Sequence, residues 1–298
     1  MKNLIISLLV IVLVGAGIYL FYKKSDTTVT TNTTPSENEG LAENTEDTEQ
    51  NKESTVIGKS VDARDITAYH YGTGETELLF VGGMHGGYSW NTALVAYEMM
   101  DYLEANPNAI PSNVKVTVIP VLNPDGLNKV VGTAGRFAKA DVSSSEATRV
   151  SGRFNENEVD LNRNFDCNWQ PQGLWQKTTV SGGSKPFSEP ETLAVKNYIE
   201  TQKPEAVVVW YSSAGGVFSS SCGDGILPET SAITNVYAKA SGYPEHETFD
   251  FYPTTGDMTN WLAKIKIPAV SVLLSTHEDV EWDKNKKGLD ALLGYYAK

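Results

Sequence analysis

The sequence is short of cysteine, short of basic residues relative to acidic ones, and without an internal repeat. Its 298 residues include only Cys167 and Cys222, too few for a disulfide scaffold. A bridge between them would enclose 55 residues and restrict the unfolded chain by about 4 kcal/mol on the chain-entropy model. That would place the domain outside the cytoplasm; two unrelated buried thiols are the other reading. Lys and Arg number 24 against 37 Asp and Glu, a net charge of -13, so no basic surface calls for a nucleic-acid partner.

What is present begins with an apolar run. Residues 3–22, between Lys2 and Lys23, carry no charge, and about 20 apolar residues match the thickness of a bilayer. Residues 1–24 are read as a single-pass anchor rather than a cleaved signal peptide, because the run is long for such a peptide and its small-residue stretch, Val14 to Gly17, lies inside it. No cysteine follows to carry a lipid. Residues 25–55 are rich in Ser, Thr, Asn and Glu, a composition that cannot bury enough surface to fold. Eight acids there oppose Lys52 alone, so about half the net charge sits on this tether. The expected arrangement is a cell-membrane protein with its folded domain, residues 56–298, extracytoplasmic.

Within that domain, apolar β-rich runs at 76–83, 114–122, 206–213 and 267–275 alternate with helical patterns. The first helix covers WNTALVAYEMMDYLEAN; a later one, ahead of Pro204, starts with a capping box formed by Ser188 and Glu191. Residues in the 130s to 150s read as a long loop. The alternation predicts an α/β domain whose mixed, mostly parallel sheet has helices on both faces. Sites in such folds lie at the carboxyl ends of the strands, where His85, Asn123, Ser212 and Ser275 could converge.

Five ordered segments carry a resemblance: GGMHGGYSWNT, NPDG, VDLNRNFDCNW, VVWYSSAGG and IPAVSVLLSTHEDVEWDKN. Together they resemble the zinc metallocarboxypeptidases of the carboxypeptidase A type over nearly all of Leu78 to Ala297. The resemblance implies that family's eight-stranded fold. It also implies a reaction in which two His and one Glu hold zinc with an open position for water, and a second Glu takes the water's proton. An Arg stabilises the oxyanion, and an Asn-Arg pair grips the substrate's terminal carboxylate.

Position by position, the resemblance makes His85 the first metal ligand, puts Ser89 where the ligand Glu stands and Ser212 where the second ligand His stands, and puts Leu273 at the base. The binding side is kept: Arg153 matches the oxyanion Arg, Asn162 and Arg163 the carboxylate grip, and Tyr252 the mobile tyrosine over the substrate. Thr259, small and neutral, falls at a specificity position. One imidazole and two hydroxyls are a poor zinc set, so no cofactor is expected. Zinc enters only if an unconventional set recruits His246, Asp250, Asp257 or His277.

The expected function is therefore a non-catalytic pseudopeptidase that binds the carboxyl end of a peptide or a cell-wall stem peptide. A working zinc carboxypeptidase is the main alternative, and a purely structural domain is a third. A serine hydrolase built on Ser89, Asp257 and His277 follows the Ser, Asp, His order of α/β-hydrolases. It leaves DLNRNFDCNW without a use, and Asn91 stands where that motif needs Gly.

Overall fold

The computed structural model describes residues 53–297. The expected anchor and nearly all of the tether lie outside these residues. Among the described residues, no helix is long and apolar enough to cross a membrane.

Ten strands form: β1 (Glu53–Lys59), β2 (Asp65–Tyr71), β3 (Thr76–Val81), β4 (Val114–Ile119), β5 (Gln172–Trp175), β6 (Thr178–Ser181), β7 (Ala206–Ser212), β8 (Gly216–Ser219), β9 (Glu245–His246) and β10 (Ala269–Leu274). Eight of them make one sheet in the order β1-β2-β4-β3-β7-β10-β8-β9, while β5 and β6 form a separate hairpin. The middle of the sheet is parallel: β3 lies between β4 and β7, and β7 lies against β10. Antiparallel pairs join β1 to β2, β2 to β4 and β10 to β8.

The central strands read as continuous apolar runs because both of their faces are covered. Phe80, Val116, Val208, Trp210 and Val272 face one apolar cluster. It includes residues of α1 (Trp90–Ala105), α5 (Pro228–Ser241) and α7 (Trp282–Tyr296). Leu79, Val81, Val209, Tyr211 and Leu273 face a second cluster, with residues of α4 (Pro190–Gln202) and α6 (Met258–Lys264). Among the described residues the remaining α-helices are α2 (Pro124–Val131) and α3 (Glu146–Ser151).

Four expectations are corrected here. Strand β1 takes in Glu53, Ser54 and Thr55, residues read as part of the tether; its polar residues are held by pairing with β2 rather than by burial. The stretch expected as a loop contains α3, capped by the Ser145 hydroxyl on the Thr148 amide. The capping box at α4 does not form. Its N-cap is Glu189, Ser188 Oγ donates to Glu189 Oε1, and the Glu191 carboxylate accepts from Val61 N and Asn155 Nδ2 instead. Asn123, expected among the strand-end residues that converge on the site, instead caps α2 by accepting from Gly126 N.

Candidate functional site

Three neighbouring parallel strands end at one place. His85 follows β3, Ser212 closes β7, and Leu273 lies near the end of β10, opposite Tyr211. A cavity of about 780 Å³ opens there, lined among others by His85, Arg153, Asn162, Arg163, Tyr252 and His277. Ser212 and Leu273 line it too. Ser89, the N-cap of α1, is buried and its hydroxyl has no hydrogen-bond partner among the described residues. Of the four strand-end residues expected to converge, Asn123 and Ser275 stay out. Asn123 Nδ2 donates to Arg153 O, and Ser275 Oγ donates to Glu281.

Asp160 organises the cationic side of the cavity, and the sequence reading passed over it. Its carboxylate is fully buried and accepts from Arg153 Nε and Nη2 at 3.0 and 2.8 Å. Burial pushes its pKa up, but Arg153, His85 and Arg163 outweigh that and hold the carboxyl well below its ordinary range. The signal was there: a buried arginine needs a counter-ion, and Asp160 is the acid of the DLNRN segment. Trp175, on the β5–β6 hairpin, lies over the Arg153 guanidinium with its ring centroid at 4.5 Å.

His85 Nε2 lies 3.4 Å from Asp160 Oδ1, yet neither ring nitrogen makes a hydrogen bond. Burial first, and then Arg153, lower the imidazole pKa to about 4, against the pull of Asp160. It is therefore neutral at physiological pH.

Arg163 is both a brace and an available grip. Its Nε and Nη2 donate to Leu174 O, and Nη1 donates to Asn162 O. Three of five guanidinium N–H groups are thus used, leaving one on each terminal nitrogen for a bidentate partner. Gly173 lets the hairpin come this close: a Cβ there would lie 2.7 Å from Arg163 Cδ. Asn162 is locked as well, donating to Asp257 Oδ2 and accepting from Tyr211 OH and Met258 N. Tyr252 packs edge-on against Phe249, with its ring 6.0 Å from the Arg163 guanidinium carbon.

The donor set does not suit zinc. Among the described residues, no three His, Cys, Asp or Glu side chains are grouped to hold a metal. His246 is stacked on Phe218 with centroids 4.4 Å apart. Asp257 caps α6 through Asn260 N, and His277 is hydrogen-bonded to Ser212. With Leu273 aliphatic, no carboxylate stands at the expected base position. The Ser89, Asp257, His277 constellation does not assemble either, since Asp257 bonds Asn162, Thr259 and Asn260 while His277 takes Ser212.

The zinc carboxypeptidase family model matches residues 41–279. This chain belongs to that family. The family match starts ahead of the described residues, inside the segment read as a tether. A curated relative is the gamma-D-glutamyl-L-diamino acid endopeptidase 1 of Lysinibacillus sphaericus, 24% identical over 217 residues, covering 66% of this chain and 54% of the relative. A zinc carboxypeptidase of Simulium vittatum is 27% identical over 164 residues, 52% of this chain and 51% of that one. The chain thus spans about half the length of these two relatives. Among solved structures, bovine thrombin-activatable fibrinolysis inhibitor, in complex with tick carboxypeptidase inhibitor, superposes with a TM-score of 0.64 at 17% identity, covering 82% of this chain and 88% of that one. A murein-tripeptide amidase from Escherichia coli gives 0.55 at 21% identity, covering 82% and 92%. At these identities the structures speak for the fold, a mixed and mostly parallel eight-stranded sheet.

Proposed function

We propose that this zinc carboxypeptidase family member is a non-catalytic binding protein for the free carboxyl end of a peptide, including a cell-wall stem peptide. The observation that carries the reading is the contrast within one cavity. Two buried guanidiniums, Arg153 and Arg163, keep unused N–H groups beside Asn162 and Tyr252, while hydroxyl and aliphatic side chains stand in the wall at Ser212 and Leu273 and, buried at the start of α1, at Ser89. Such a pocket can hold a carboxylate but has neither the metal ligands nor the base for hydrolysis. The activities for which the Lysinibacillus endopeptidase and the murein-tripeptide amidase are named favour a stem peptide as the ligand. The disulfide between Cys167 and Cys222 supports an extracytoplasmic site, with residues 1–24 as the anchor.

Calorimetry with short N-acetylated peptides and their C-terminal amides tests this. The acids bind, the amides do not, and Arg163→Lys weakens the acids by removing the two-pronged contact. Equal affinity for acid and amide removes the reading.

A working carboxypeptidase with an unconventional ligand set has one observation behind it. His85 still faces Asp160 and has a ring nitrogen without a hydrogen bond. Stoichiometric zinc in the purified protein, with release of C-terminal residues from a peptide mixture, would establish that alternative.

A further inference from the structure

The polar groups on one wall of the cavity can be assigned proton by proton. Asp257 Oδ1 accepts from Thr259 Oγ1 at 2.8 Å and from Asn260 N at 2.9 Å, and its Oδ2 accepts from Asn162 Nδ2. A carboxylate only accepts, so the single hydroxyl proton of Thr259 is committed to Asp257. Thr259 Oγ1 also lies 3.0 Å from Ser271 Oγ. With the Thr259 proton already engaged, the proton in that contact comes from Ser271. Both hydroxyls line the cavity, and both have only lone pairs left to offer. Behind them stands the Asp257 carboxylate, 8% exposed. The neighbouring wall is apolar, formed by Phe218 and Leu273, which lie on the same face of β8 and β10 as Ser271.

From this polarity we infer that the subsite formed by Ser271, Thr259 and Asp257 selects a ligand whose side chain ends in an N–H donor, an amine or a carboxamide. The inference rests on the carboxyl-end reading and specifies which carboxyl end is taken. A donor group completes the chain from Ser271 through Thr259 to Asp257. An acidic side chain brings a third set of lone pairs against the same acceptors. A purely aliphatic one fills the space beside Phe218 and Leu273 but leaves the Ser271 oxygen without a partner and without water, which is unfavourable. Thr259 being neutral excludes a direct ion pair at that position; it does not exclude a donor.

The test is calorimetry on the whole chain with acetyl-Ala-Xaa, where Xaa is Lys, Gln, norleucine or Glu, each as free acid and as C-terminal amide. The expected result is that the Lys acid, the Gln acid or both bind about tenfold more tightly than the norleucine and Glu acids, the scale of one buried hydrogen bond. The Lys and Gln arms tell amine from carboxamide. Ser271→Ala should bring the favoured peptide and norleucine to a common affinity, weakening the first by losing its acceptor and tightening the second by removing an unpartnered hydroxyl. Thr259→Val frees the Ser271 proton to donate outward, so the preference for Gln over Glu should narrow. A thermal melt of each variant confirms folding. If norleucine binds as well as Lys and Gln while amides still fail, the inference is overturned and the carboxyl-end reading stands. If acids and amides bind alike, that reading falls, and the order among side chains still judges the subsite. If no peptide binds, both fall.

Discussion

Ser212 Oγ lies 2.8 Å from His277 Nδ1 and 3.1 Å from Asn91 Oδ1. Asn91 donates both amide hydrogens, to Thr276 O and Asp279 O, so its oxygen faces Ser212 as an acceptor. Every group is satisfied when Ser212 donates to Asn91 and His277 Nδ1–H donates to Ser212. The hydroxyl is then a structural link between β7 and the segment after β10, not a nucleophile primed by a base. The His277 ring, tilted against Tyr88 with centroids 4.6 Å apart, fills space next to the side chain of residue 212.

That relationship sharpens a reversal experiment. Ser89→Glu with Ser212→His restores the donor types that hold zinc tetrahedrally, and adding His277→Ala should strengthen binding by clearing room for the new imidazole. The family's two carboxylates and its divalent cation cancel in charge, so a site lacking all three would keep the field of Arg153 and Asp160, which makes restoration electrostatically feasible. Elemental analysis after dialysis should give about one zinc per chain for the triple variant, and Leu273→Glu should be needed besides for peptide hydrolysis. No zinc in any variant would mean that these positions do not match the family's ligands.

A second prediction concerns Arg153. Removing its guanidinium leaves the Asp160 charge buried with no bidentate partner, and breaking a buried pair in this way costs about 3–5 kcal/mol. Arg153→Ala should therefore lower stability to denaturant by that amount. Arg153→Ala combined with Asp160→Asn should recover a large part of it. A double variant no more stable than the single one would show that packing under Trp175, not charge, dominates.

Much of this was legible in the sequence, for physical reasons. The central strands were visible because burial on both faces makes them unbroken apolar runs, as in AVVVWYS. Helix α1 was visible by its length and bounds. The edge strand ESTVIGK and the hairpin strand TTVS are largely exposed, so they lack that signal and depend on pairing with the neighbouring strand across a short connection. Glu191 looked like a cap because its spacing from Ser188 is right; a tertiary contact with Val61 and Asn155 won. His85, Arg153, Asn162, Arg163, Tyr252, Ser212 and Leu273 do meet in one cavity. What the sequence hid was their support: the Leu174 carbonyl on Arg163, and Trp175 over Arg153. Both belong to the hairpin that pattern reading left unassigned.

His85 is a main source of the pH dependence of stability; burial also holds the His70 and His277 imidazoles below their ordinary range, which adds in the same direction. Its pKa is about 4 in the folded protein, depressed by burial, against 6.5 ordinarily. Between pH 6.5 and 4 the unfolded chain takes up a proton at this residue that the folded chain refuses, so stability falls as pH falls, by about 3 kcal/mol in all. Above pH 6.5 the residue contributes no slope. Chemical denaturation at pH 7, 5.5 and 4 should show the decline, and His85→Gln, which cannot titrate, should make it shallower, leaving the share of His70 and His277. Asp160, with its depressed pKa, adds a further loss only below the ordinary carboxylate range. An unchanged slope in His85→Gln would assign the decline to other groups.

The disulfide makes the last prediction. Cys167 and Cys222 are bonded, 55 residues apart, and the bond joins the segment that carries Asn162 and Arg163 to the turn after β8. Gly256, at φ +64, donates to Cys167 O and accepts from Phe165 N, so the bridge also steadies the backbone ahead of Asp257. Removing such a bridge costs about 2–5 kcal/mol, largely through the greater freedom of the unfolded chain. Reduction, or Cys167→Ala with Cys222→Ala, should lower stability on that scale. It should also weaken binding of a peptide acid, because the segment holding Arg163 loses its one covalent tie to the turn after β8. Parallel denaturation and calorimetry separate the two effects. If stability falls while affinity at a temperature well below unfolding is untouched, then the bonds from Leu174 and Asn162 alone are enough to hold the guanidinium in place.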